Sequence, residues 1–229
     1  MCGRFTLRTP LHRLIDQFLL APDPDLSLKP RFNIAPTQTI VAVRQSRERR
    51  QRELAPLHWG LIPSWAKDPA IGNRMINARS ETVAEKPSFR SAFKHRRCLI
   101  VSDGYYEWQK QGSRKQPYFF HQADDQPFAF AGLWECWTDP ESGTSRETAT
   151  ILTTEANSLV LPFHHRMPVI LEAADYERWL DPDLSDQARL QPLLVPRESD
   201  SLVVDPVSTL VNSPRNDDPR CLQPPPELF

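Results

Sequence analysis

Between residues 97 and 171 one strand-like segment follows another: 97–102, 105–109, 118–121, 128–134, 148–153 and 167–171 are all rich in β-branched and aromatic residues, and several are separated by polar, turn-like clusters. No regular alternation of strand with helix runs through the chain, and no internal repeat is visible. That pattern predicts an α+β fold with a mostly antiparallel, partly closed, barrel-like sheet flanked by helices, and argues against a doubly wound parallel sheet. Before the strand-rich region, the alternation over 5–7 leads into a predicted helix, with Thr9 as N-cap, Pro10 as first helical residue, and Leu11, Leu14, Ile15, Phe18 and Leu19 on one face. Residues 21–36 read as proline-punctuated loop, 39–44 and 53–59 as strands, and the charged SRERRQR between them as a hairpin turn. Further helices are predicted at 80–93, interrupted near Pro87, and at 173–180 and 185–194.

The chain has 229 residues, enough to bury a core without covalent staples, and is read as one domain over 1–218 followed by a Pro-rich tail over 219–229. From Ser213 onward apolar residues are sparse, so this end is expected to be loosely held. No apolar run approaches the roughly 20 residues that cross a bilayer. Arg4 and Arg8 stand where a signal peptide needs its apolar stretch, so a cytosolic (nucleoid-associated) or nuclear protein is expected, without a membrane partner. Cys2, Cys98, Cys136 and Cys221 form no CxxC pair, so no zinc site or redox motif is spelled out, and neither metal nor cofactor is expected. The 23 prolines against 7 glycines imply turns set by fixed φ. A monomer is expected.

The net charge of −1 conceals an asymmetry. Residues 1–100 carry 18 Lys and Arg against 8 Asp and Glu, whereas residues 101–229 carry 10 against 21. A basic face of this kind can bind a phosphate backbone despite a neutral total, because salt confines its field to about 10 Å; the same charges can equally be solvated on unrelated surfaces.

Removal of Met1 is expected because the next residue is small, and it would leave Cys2 with an α-amine and a thiol on adjacent carbons. Such a 1,2-aminothiol condenses with an aldehyde through the amine, and the thiol then closes a five-membered thiazolidine ring. An α-amine, with an unperturbed pKa of about 7.7–8.0, is far more often neutral at physiological pH than a lysine near about 10.4. The bland alternative is that Cys2 merely permits methionine removal.

Six segments, MCGRF, RFNIAPTQ (31–38), GLIPSWAKD (60–68) with NARSET (77–82), SDGYYEWQ (102–109) and FHHRMPVIL (163–171), together resemble in their order the SOS response-associated peptidase (SRAP) family, proteins that process abasic sites. The resemblance spans roughly residues 2–218. It implies a nucleophile at Cys2, an active-site asparagine at Asn77, a glutamate at Glu107 and a histidine at His164. It also implies single-stranded DNA containing abasic sites as the partner. An abasic deoxyribose is mostly a closed hemiacetal; Glu107, its pKa raised by burial among Tyr105, Tyr106 and Trp108, suits the proton shuttle that opens it. His164 can move protons at the imine, and Asn77 can orient Cys2 or the sugar. The HxRMP register selects His164 over its neighbour His165. Arg4, Arg79 and Arg166 lie in the matching motifs and can hold phosphates, Trp65 can stack on a base, and Asn33 to Pro36 can shape the pocket wall. Trp59, Trp134 and Trp179 occupy periodic apolar segments and read as core.

Three other readings compete. A class II amidotransferase glutaminase also opens with MCG, but continues with a small, apolar, glycine-rich strand where this chain has Arg4, Phe5 and Thr6. A thiol peptidase could use Cys2, His164 and Glu107, at minimum to remove its own leading residue. A non-catalytic single-strand-binding module would leave Glu107 and His164 unexplained.

Overall fold

A computed structural model describes residues 2–21, 27–46, 50–197 and 202–226. The helices are α1 (Leu11–Phe18), α2 (Arg90–His95), α3 (Tyr176–Leu180) and α4 (Gln187–Leu190). The strands are β1 (Phe5–Leu7), β2 (Arg31–Ile34), β3 (Thr39–Gln45), β4 (Arg52–Trp59), β5 (Asn77–Arg79), β6 (Arg97–Ser102), β7 (Gly104–Gln111), β8 (Arg114–Gln122), β9 (Phe128–Thr138), β10 (Ser145–Glu155), β11 (Arg166–Pro168), β12 (Ile170–Leu171) and β13 (Leu202–Pro206).

Two sheets result. One runs β13-β8-β7-β1-β2, antiparallel throughout. In the other, β3 pairs β4, β4 pairs β10, β10 pairs β9, β9 pairs β6 and β6 returns to β3, so these strands close into a barrel. The expected α+β class with a partly closed sheet is what the chain forms. β10 links the barrel to the rest: its first half pairs β9 and β4, and its second half carries β5 in parallel and β11 in antiparallel register. Closure removes sheet edges that would otherwise invite pairing with other chains.

The N-terminal strand is fixed by an aromatic plug. Phe5 is fully buried and meets Trp59 (5.1 Å between centroids) and Phe130 (5.9 Å) edge-on, a preferred geometry for the ring quadrupoles. The turn after β1 is held by buried Asp103, whose carboxylate accepts from the Thr6 hydroxyl, the backbone N–H groups of Arg8 and Thr9, and the Thr9 hydroxyl. Thr9 is therefore engaged away from the helix; Pro10 takes the N-cap position of α1 and no side chain caps it. Gly104 is required next to Asp103 because a Cβ there would lie 2.1 Å from the Phe119 ring.

Other expectations change. The predicted loop over 21–36 contains β2, although residues 22–26 lie outside the described residues, as do 47–49 of the hairpin turn. The predicted helix at 80–93 forms only as α2 from Arg90, preceded by turns, since proline lacks the amide hydrogen and disfavours helix at the residue before it. Trp59 and Trp179 are wholly buried, but Trp134 is only half-buried, beneath the Arg44 guanidinium (4.5 Å). The C-terminal segment, expected to be loose, is pinned. Asp217 accepts from the backbone N–H groups of Phe32 and Asn33 (2.5 and 2.8 Å) and pairs with Arg31, and Cys221 is buried with Tyr106, Phe119, Val207 and Val211. No described helix is long and apolar enough to cross a membrane.

Candidate active site around Cys2

Cys2 lies three residues before the Phe5 plug, and the ladder reaches almost to it: the Tyr106 amide donates to the carbonyl of Arg4 (3.0 Å). Its own carbonyl accepts from Asn77 Nδ2 (3.0 Å), and the residue is fully buried. Asn77 is delivered by the second half of β10, opposite Ile151. Burial, reinforced by the nearby Glu107 carboxylate, pushes the Cys2 thiol far above its ordinary range.

Glu107 is on β7, whose alternation puts Tyr105 and Glu107 on one face and Tyr106 and Trp108 on the other. Glu107 is 4% exposed, and burial raises its carboxyl pKa, the direction expected from the sequence. The neighbours differ from expectation: Tyr106 and Trp108 turn away, Tyr106 donating to the Phe32 carbonyl (2.7 Å) and the Trp108 indole to Asn212 Oδ1 (2.7 Å). Tyr105 shares the Glu107 face; burial pushes its phenol well above its usual range, and Cys2 and Glu107 both act on it in the same direction.

The histidine segment reaches this site through Phe163. Its ring packs edge-on to Tyr118 (4.7 Å) and Phe120 (5.1 Å), the residues paired across the ladder with Glu107 and Tyr105. His164 follows, half-buried, and His165 stacks on it (4.4 Å) but is exposed. His164 Nδ1 lies within hydrogen-bond distance of both the Arg166 amide (2.9 Å) and the Arg166 carbonyl (3.2 Å). Burial lowers the His164 pKa, with His165 acting in the same direction.

The residues read as DNA contacts divide. Arg79 and Trp65 are exposed, Trp65 at 59%, and Pro36 is half-buried. Between β4 and α2, Lys67, Arg74, Lys86 and Arg90 are exposed as well. By contrast, Arg4 donates to Asn33 Oδ1 (2.8 Å) and the Val211 carbonyl (2.7 Å), and Asn33, with no exposed surface, donates to the carbonyls of Val211, Ser213 and Asn216. Asn33 thus fastens the C-terminal segment. Arg166 is 9% exposed and forms a bidentate pair with Glu81 (2.5 and 2.9 Å), which sequence reasoning had not singled out although Glu81 lies within the NARSET segment. That pairing holds the Glu81 carboxyl below its ordinary range. Among the described residues no cluster of His, Cys, Asp and Glu could hold a metal.

The chain is 43% identical over 225 residues to the abasic site processing protein YoqW of Bacillus subtilis, covering 97% of this chain and 99% of that one. It is 36% identical over 205 residues to the abasic site processing protein HMCES of Gallus gallus, covering 80% of this chain and 60% of the relative. A crystal structure of a Bacteroides thetaiotaomicron protein superposes with a TM-score of 0.87 at 28% identity, covering 97% of this chain and 99% of that one. The model of the SOS response associated peptidase family matches residues 1–214, and the chain belongs to that family.

Proposed function

We propose that this protein processes abasic sites in single-stranded DNA by joining their open-chain aldehyde to Cys2 as a thiazolidine. The observation that carries this reading is the burial of Cys2 against Glu107 with its carbonyl tethered by Asn77, in a chain where removal of Met1 would turn Cys2 into an aminothiol. The names of the relatives support the substrate.

Glu107, protonated more readily than a solvated carboxyl, gives a proton to the ring oxygen of the closed sugar as the C1 hydroxyl passes its own to His164, releasing the aldehyde. The Cys2 amine adds to the aldehyde carbon, and loss of water leaves an iminium. His164, carrying the proton it took from the C1 hydroxyl, gives it to the departing hydroxyl, which leaves as that water. The thiol then adds to the iminium carbon: its proton passes to Glu107, and the carbon–nitrogen π pair returns to nitrogen. The balance is one aldehyde and one aminothiol giving one thiazolidine and one water. Exposed Arg79, Lys67, Arg74, Lys86 and Arg90 supply the phosphate-binding face, with Trp65 as a stacking platform.

The deciding experiment is intact mass measurement of protein incubated with an abasic single-stranded oligonucleotide and then heat-denatured. The expected product is protein without Met1 plus the oligonucleotide, less one water. Equal yield from protein shown to retain a residue before Cys2 would overturn the mechanism, because that amine would be an amide. A peptidase acting through the same thiol would instead leave the oligonucleotide unattached.

A further inference from the structure

Tyr105 carries a buried hydroxyl with no hydrogen-bond partner among the described residues. Its ring is well placed, stacked on Phe120 (5.0 Å, 12°) and edge-on to Phe130 (6.0 Å), so packing accounts for the ring and leaves the hydroxyl unexplained. Phenylalanine would fill the same space without burying an unpaired donor, a burden that folded proteins rarely carry without a reason. The contrast along the strand is plain: Tyr106 and Trp108 each place their polar tip on an acceptor. A second orphan adjoins Cys2: among the described residues Asn77 Oδ1 is buried without a hydrogen-bond partner, while Nδ2 of the same amide holds the Cys2 carbonyl.

We infer that the Tyr105 hydroxyl donates to the Cys2 sulfur during ring closure, stabilising the charge that builds on sulfur as its proton leaves for Glu107. This rests on the reaction proposed above and adds a group to its last step. Closure forms the carbon–sulfur bond and breaks the sulfur–hydrogen bond; Glu107 takes the proton, the iminium nitrogen takes the π pair, and the tyrosine O–H bond stays intact. Burial favours the protonated phenol, so its O–H is available as a donor. The site needs one, because Cys2 lies where its thiol ionises with difficulty and, among the described residues, the hydrogen bond its sulfur makes is a long one to the Arg4 carbonyl (4.0 Å). Formation of the imine, which uses the amine, does not call on Tyr105.

The test is Tyr105→Phe in the full chain, with an abasic single-stranded oligonucleotide at saturating concentration. Two products are followed in time: the imine captured by borohydride and the adduct that survives heating without it. Wild type should proceed to the heat-stable adduct with little captured imine. Tyr105→Phe should form imine within about twofold of the wild-type rate but close the ring roughly tenfold more slowly, so captured imine accumulates. Its melting temperature should match or exceed that of wild type. The ratio of the two products does not depend on the fraction of protein folded. An unchanged ratio, a parallel fall of both products, or a lower melting temperature would overturn the role assigned to Tyr105. Absence of any heat-stable adduct from wild type would instead overturn the reaction itself, and this step with it.

Discussion

The side-chain amide of Asn77 donates to the backbone carbonyl of Cys2 across 75 positions of sequence, at 3.0 Å. The bond ties the end of the chain to β5 and so to β10, the strand that also carries β11 and the histidine segment before it. Asn77→Ala removes this tether while leaving the β5 backbone ladder intact. A neutral hydrogen bond is worth about 1 kcal/mol net. Crosslinking at saturating DNA should therefore fall roughly fivefold, with little change in melting temperature. Wild-type rates in a single-turnover assay would show that Phe5 alone positions Cys2.

The two adjacent histidines should separate cleanly. His164 is held through Nδ1 by the Arg166 amide, whereas His165 is exposed. His164→Ala should slow crosslinking or its reversal by about a hundredfold near neutral pH, within the usual range for loss of a proton-transfer group. His165→Ala should stay within about twofold. The opposite result, measured by gel or mass at matched DNA occupancy, would hand the role to His165.

Raised by burial from its ordinary 4.5, the Glu107 carboxyl has a definite consequence for stability. Between the unfolded and folded pKa values the folded protein holds a proton that the unfolded chain has released, so this group's contribution to stability falls as pH rises through that window. Glu107→Gln removes the penalty. Urea unfolding should find the variant more stable than wild type near neutral pH, with the difference vanishing below about pH 4. The same variant should open the sugar slowly, losing crosslinking while gaining stability. A variant less stable than wild type at neutral pH would show that the carboxylate is held by more than its burial costs.

Arg97 is a buried cation whose guanidinium donates to five backbone carbonyls, those of Phe93, Lys94, Trp179, Asp181 and Leu184. It ties the ends of α2 and α3 to the barrel strand β6, and lysine cannot reproduce that planar fork. Arg97→Lys should cost about 3 kcal/mol in a denaturant melt. A loss below about 1 kcal/mol would mean that water replaces the missing donors.

Much of this molecule was legible in the sequence, and the failures share a cause. β3, β4 and β6 to β10 were anticipated because their alternation and β-branched content act locally. β2, β5 and β13 were missed because each exists through a distant partner: NAR becomes strand only when β10 lies beside it, and LVVDP ends on a proline tolerated at a sheet edge. The C-terminal segment reads as polar tail because its anchors are side chains such as Asp217 bonding backbone groups nearly two hundred positions away. The partners of Arg4 and Arg166 were hidden for the same reason, since the Val211 carbonyl and Glu81 cannot be seen from the motif. Cys2, Asn77, Glu107 and His164 were singled out through the order of the motifs, and the roles given to them rest on the proposed function. The Tyr105 hydroxyl was not singled out, because nothing in a sequence distinguishes a paired tyrosine from an orphaned one.

The division of labour within Cys2 gives the sharpest prediction. In the proposed reaction the amine makes the bond to the aldehyde and the thiol locks it. In Cys2→Ala the second residue is still small, so Met1 removal is still expected and a free α-amine remains beside Asn77 and Glu107. That amine can form the iminium, but no sulfur is present to close the ring. Two fates remain: hydrolysis, or loss of the 3′ phosphate by β-elimination, because the iminium acidifies the proton on the neighbouring carbon. Cys2→Ala should therefore give no heat-stable adduct, a Schiff base captured by borohydride, and slow strand cleavage at the abasic site. Adding Glu107→Gln should reduce the captured species, because sugar opening precedes imine formation and needs a titratable proton. DNA occupancy must be matched between variants so that weaker binding is not read as lost chemistry. A heat-stable adduct from Cys2→Ala without borohydride would place the attachment on another residue, and the aminothiol mechanism would fall.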